Sequence, residues 1–166
     1  AHKDEIGMIV KRVEPDGRLQ VRALGGAHPW KYGEGPVEIL GRKGIVPAVL
    51  CVGSIHTSPE TTRMQRAKES ALSWDNVYLD AKLPAEALKK LGVHAGTRAV
   101  VARSRKKPFV VGDYVCGWAL DDKAAVALML GLMESLAPRA GELPVDVYFA
   151  ATSEEEVLRV VIDQVA

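Results

Sequence analysis

Four short apolar bursts near the start constrain this chain more than any other feature. They are Ile6–Val10, Leu19–Leu24, Val37–Leu40 and Ile45–Val52. Between them lie Pro15-Asp16-Gly17, Gly25-Gly26, Gly33-Glu34-Gly35-Pro36 and Gly41-Arg42-Lys43-Gly44, each a turn signal. Short strands at close spacing with glycine and proline punctuation predict a small sheet that curls into a barrel or a sandwich. The polar stretch 53–76 opens on Thr57-Ser58-Pro59 and Thr61-Thr62, and its best reading is a loop that becomes a helix through Met64–Leu72. Pro84–Gly92 predicts a short helix, with proline in the first turn, lysines in the last and glycine just past the end. Two further strands are expected over Thr97–Ala102 and Phe109–Tyr114. The basic loop Arg103-Ser104-Arg105-Lys106-Lys107 that joins them reads as a solvated hairpin tip, since no aromatic platform accompanies it.

From Trp118 the texture changes. Ala119–Ala137 is almost unbroken Ala, Leu, Met and Val after Asp121-Asp122-Lys123, which predicts a helix buried nearly all round. Val145–Thr152 reads as a core strand that runs into Ser153-Glu154-Glu155-Glu156, and Val160–Asp163 as another buried strand. Strand, buried helix and strand make an α/β portion after about residue 115. The chain opens on Ala1 and stops on an uncapped strand, so it reads as an excerpt of a larger protein.

Composition removes several function classes. Lys and Arg total 22 against 21 Asp and Glu, a formal charge of +1, which argues against a nucleic-acid binder that works by bulk charge. No apolar run reaches the ~18–20 residues of a membrane span, Ala124–Met133 being the longest, and no secretory leader is evident. Cys51 and Cys116 lack C-x-x-C spacing, which suits buried thiols in a reducing cytoplasm.

Three clusters could carry chemistry. In His2-Lys3-Asp4 the outer side chains point the same way from an extended backbone, so a carboxylate can orient an imidazole whose other nitrogen binds a metal. Asp121-Asp122 opens an apolar helix; capping accounts for one acid, but a second needs counter-charge. Glu154-Glu155-Glu156 follows a core strand at its carboxyl end, where open α/β sheets assemble their sites. Three adjacent carboxylates repel unless cations sit among them. Oxygen and imidazole donors without thiolates suit Zn, Co or Mn.

Ala1-His2-Lys3-Asp4-Glu5-Ile6-Gly7, Gly117-Trp118-Ala119-Leu120-Asp121-Asp122-Lys123 and Ala151-Thr152-Ser153-Glu154-Glu155-Glu156-Val157 occur in that order, with Leu91–Thr97 between the first two. Together they resemble the signatures of the tetrahedral, dinuclear-metal aminopeptidases, the group of glutamyl, leucyl and deblocking aminopeptidases that also includes some proteins described as endoglucanases. The resemblance implies an α/β, zinc-peptidase-type three-layer catalytic domain with an inserted β-rich, barrel-like dimerisation domain. Residues 1–10 and 115–166 would then be catalytic and 11–114 the insert, with the C-terminal part absent.

The resemblance also implies roles. His2 would bind one of two divalent metal ions, zinc first among the candidates, with Asp4 orienting it. Asp121 would bridge both metals, and Asp122 would follow through an unusual peptide bond. Glu156 would bind the second metal and Glu155 would be the general base. Asp163 would complete the first metal's ligands, yet only a few residues separate it from Glu156, too few for a crossover, so a segment is expected to be missing near 159–160. Glu154 stands where the family more often has Gln, and the glycine expected soon after Val157 is absent. The implied protein is a cytoplasmic aminopeptidase that acts on peptides and self-associates, with dimers building a tetrahedral dodecamer, and that needs no nucleic-acid or membrane partner. Two alternatives are an idle assembly module of the same fold and a glycosidase working with paired carboxylates and no metal.

Overall fold

A computed structural model describes residues 1–53 and 71–156. The expected helix over Met64–Leu72, except for its last two residues, and the expected strand Val160–Asp163 lie outside the described residues. The chain divides into two compact units. One is Ile6–Lys107, and the other joins Ala1–Glu5 to the residues from Pro108 onward.

The first unit is a closed barrel. β1 (Gly7–Val13), β2 (Leu19–Leu24), β3 (Gly35–Gly41), β4 (Gly44–Cys51), β5 (Tyr78–Asp80) and β6 (Arg98–Val101) are hydrogen-bonded in the order β1-β2-β5-β4-β3-β6. All pairings are antiparallel, and β6 closes the ring because Ala99 lies opposite Met8 on one side and Ile39 on the other. Of the two shapes the glycine-punctuated bursts allow, the barrel forms, and it leaves no free sheet edge. Side chains alternate across each strand, so Met8 and Val10, Leu19 and Val21, Val37 and Ile39, and Val46, Ala48 and Leu50 all face the interior. Leu79, Ala99 and Val101 complete this layer. Each large side chain so buried contributes about 1.5–3 kcal/mol. The register of β1 on β2 shifts between Val10 and Arg12, a bulge that bends the strand.

Two short helices complete the unit. α1 (Pro29–Tyr32) buries the Tyr32 ring, whose hydroxyl donates to the Gly7 carbonyl at 2.7 Å. The Trp74 indole meets that ring edge-on, with centroids 5.4 Å apart. α2 (Ala85–Lys90) follows the helix expected over Pro84–Gly92 and buries Leu88. Gly92, at φ +76°, ends it where a Cβ would lie 2.7 Å from Arg42 Cβ.

The second unit departs from several expectations. Phe109–Tyr114 is not one strand but the first arm of a hairpin, β7 (Phe109–Val111) paired with β8 (Tyr114–Cys116), which turns at Gly112 with φ +58°. Consequently the basic loop is no hairpin tip. β6 belongs to the barrel, and Arg103–Arg105 forms a 3-10 turn in which Arg105 Nη2 donates to the Tyr32 carbonyl at 2.6 Å. α3 (Leu120–Leu136) occupies the expected helix, but none of its residues is buried, and Leu128 is 75% exposed. Apolar composition makes a helix able to be buried; only an opposing surface buries it. Val145–Thr152 builds no strand ladder. Its one pairing among the described residues is a parallel bridge between Thr152 and His2, and Tyr148 is 88% exposed. Nor are the two thiols buried: Cys51 and Cys116 are free and half-buried.

Candidate metal centre

The site is assembled within the second unit by backbone pairing of two short segments. Thr152 N–H donates to the Ala1 carbonyl, and Lys3 N–H to the Thr152 carbonyl, each at 2.9 Å. That register sets His2 beside Thr152 and brings Asp4 to the turn after it, where Glu156 N–H donates to Asp4 Oδ2 at 3.1 Å. The chain turns at Glu154, with φ +69°, before Glu155 and Glu156.

A third segment arrives at the start of α3. Asp121 and Asp122 are counted in that helix yet have non-helical backbone angles, and the bond between them is a cis peptide. Neither acid caps the helix in the ordinary way. Instead Asp122 Oδ2 accepts the His2 backbone N–H at 3.0 Å, and Asp121 Oδ1 lies 3.3 Å from His2 Nε2. Lys123 Nζ pairs with Glu5 Oε2 at 2.7 Å, a second tie between the helix start and the first segment.

His2 is the hub. It is 7% exposed, the one buried polar residue of this unit among those described. Its Nδ1 faces Asp4 Oδ1 at 3.4 Å, and neither atom makes a hydrogen bond of ordinary geometry. Its Nε2 lies 3.6 Å from Glu155 Oε2. One donor atom each from His2, Glu155 and Glu156 fall within 4.8 Å of one another. Asp121 adds its contact with His2 but keeps 92% of its side chain exposed. Asp163 lies outside the described residues.

The electrostatics are those of crowded acids around an imidazole. Burial lowers the His2 pKa, but the hydrogen bond with Asp121 and the charges of Glu155, Asp4 and Glu156 outweigh it and hold the ring above its usual range. Burial acts on Asp4 in the opposite sense, raising its pKa. Hydrogen bonds from the Glu156, Asp4 and Glu155 backbone N–H groups, with the nearby His2, carry it below the ordinary carboxylate value. Glu156 is raised, first by burial and then by the charges of Glu155, Asp121 and Asp4, against the pull of His2.

This donor set fits a divalent cation. Ligand atoms about 2.1 Å from a common tetrahedral ion stand about 3.4 Å apart, and the 3.3 Å between His2 Nε2 and Asp121 Oδ1 is close to that edge. A cation would also relieve the repulsion that raises Glu156. Sequence reasoning overlooked two participants, the Asp122 carboxylate that fixes the His2 backbone and the Lys123–Glu5 pair. Their signal was present in the doubled acid and in the acid that follows Asp4, but side-chain partners so distant in the chain are set by the fold.

Comparison with known proteins gives a consistent result. The family model for M42 glutamyl aminopeptidases matches residues 1–160. SgcX of Escherichia coli K12 is 29% identical over 158 residues, which cover 94% of this chain and 40% of SgcX. Lysyl aminopeptidase of Pyrococcus furiosus is 26% identical over 95% of this chain and 43% of its own. Among solved structures, the dodecameric PhTET1-12s superposes with a TM-score of 0.71 at 28% identity, again over 95% of this chain and 43% of the other. The chain thus spans less than half the length of these relatives. Among the described residues no helix is long and apolar enough to cross a membrane. With a family match over nearly its whole length, the chain belongs to the M42 glutamyl aminopeptidase family, the peptidases whose ordered signatures its own motifs resemble.

Proposed function

We propose that this chain carries part of the catalytic centre of a metal-dependent aminopeptidase that removes the N-terminal residue from peptides. The convergence of His2, Glu155 and Glu156, with Asp121 touching His2, is the observation that supports it most directly. His2, Asp121 and Glu156 are the proposed protein ligands of two divalent cations, zinc first among the candidates, with Asp163 a further ligand. When bound, such a pair supplies Lewis acidity that lowers the pKa of a water and polarises the scissile carbonyl.

The remaining chemistry belongs to the chain. Asp4 faces His2 Nδ1 and so sets the ring orientation that leaves Nε2 for the cation side. Glu155, beside Nε2 and about half exposed, would take a proton from the attacking water and return it to the departing amine, a role its nearness to His2 supports. Asp122 holds the His2 backbone through its N–H. We also assign residues 11–114 to an inserted domain for self-association, dimers of which would build a dodecamer.

The test is Glu155→Gln in the intact enzyme. Turnover of an aminoacyl anilide is expected to fall about 10²–10⁴-fold with metal content unchanged. Full activity removes Glu155 from the base role, and an intact wild-type enzyme with neither metal nor turnover favours an idle module.

A further inference from the structure

Two clefts on the described barrel surface are each lined by a pair of arginines, and they differ in charge balance. In the first, Arg12 Nη2 pairs with Glu14 at 2.7 Å and Arg18 Nε lies 3.5 Å from Asp16, while the Arg18 guanidinium rests over the Tyr78 ring. The second, about 390 Å³ in volume, is lined by Leu40, Arg42, His94, Gly96, Thr97 and Arg98. It contains no carboxylate, and among the described residues neither Arg42 nor Arg98 has an ion-pair partner.

The two arginines of this second cleft stand on fixed backbone, and a tight turn lies beside them. Arg42 N–H donates to the Gly92 carbonyl at 3.4 Å, and Gly92 lies too close to Arg42 to admit any side chain. Arg98 opens β6 and pairs with Ile9. His94 heads a tight turn in which its backbone N–H donates to Thr97 Oγ1 at 2.9 Å and Thr97 N–H to the His94 carbonyl at 3.0 Å. Its Nδ1 donates to the Ala95 carbonyl at 2.6 Å, which ties the ring to its own turn. At Gly96, φ +93°, a Cβ would meet nothing within 4 Å, so the floor of the turn is open.

We propose that the cleft lined by Arg42 and Arg98 is a binding site for a phosphate-class oxyanion. Two guanidinium charges without ion-pair partners match a dianion, and their planar forks suit phosphoryl oxygens. The site belongs to the barrel and is independent of the metal centre. The experiment is calorimetric titration of the full chain with inorganic phosphate at constant ionic strength in chloride buffer, with acetate as the competing anion. Arg42→Gln and Arg98→Gln should each weaken phosphate binding about ten-fold and the double variant should abolish it. Both side chains are exposed, so an unchanged melting temperature is expected to show that the variants fold. Absence of a phosphate signal from the wild type, equal affinity in the double variant, or acetate binding as tightly as phosphate overturns the assignment.

Discussion

At the scale of single residues, the same acid–base chemistry plays different parts in the two units. Around His2 the carboxylates crowd one another, whereas in the barrel Asp80 is satisfied by a neighbour two residues on. Lys82 Nζ and Lys82 N–H donate to its two oxygens at 2.6 and 2.8 Å, which holds the Asp80 carboxyl below its ordinary value of 3.8. A carboxyl whose folded pKa is depressed stabilises the fold above its unfolded pKa and loses that contribution as pH falls through the folded value. Asp80→Asn should therefore lower the melting temperature slightly at neutral pH, and the gap from the wild type should close as pH drops below about 3.8. A gap that stays constant down to low pH would show that the ion pair contributes nothing to stability. The clusters that hold His2, Asp121 and Glu156 could be picked out by residue type, and their roles as candidate metal ligands came from the resemblance of the motifs to a family. The Asp122 contact could not, because a doubled acid at a helix start reads equally well as a cap.

At the scale of elements, period-two burial and turn chemistry carry the barrel. β2 falls on the residues expected, and β1, β3 and β4 differ mainly by the glycines and extra residues drawn into the ladders. The turn between β1 and β2 depends on Gly17. Its φ is +86°, its N–H donates to the Glu14 carbonyl at 2.9 Å, and an added Cβ would stand 2.0 Å from the Leu83 carbonyl oxygen. Backbone cannot retreat as a flexible side-chain end would, so Gly17→Ala should destabilise the fold by about 1–3 kcal/mol from overpacking, with the left-handed backbone adding to it. Urea unfolding measures this directly, and an unchanged midpoint would contradict the close approach. Phe109–Cys116 was the harder element to read. Its continuous apolar character hides a turn that Gly112-Asp113 makes, and a single strand and a tight hairpin share that composition.

At the scale of the whole molecule, every buried apolar side chain among the described residues lies between Met8 and Ala102, inside the unit Ile6–Lys107. A closed ring of strands with its own core should fold without help. Residues 6–107 expressed alone are expected to unfold in one cooperative transition, with amide exchange slowest in the six barrel strands. A broad, non-cooperative melt would show that the barrel depends on the rest of the chain. By itself the sequence determined the strands β1–β4 and β6 with the turns between the first four, the helices α2 and α3, and the donor types of the candidate metal site, because these rest on local spacing, backbone freedom and donor chemistry. Tertiary structure alone decided that the strands close through Ala99 and that Asp122 anchors His2. Burial and long-range pairing depend on which second surface arrives, and that is a property of the assembled chain rather than of any segment.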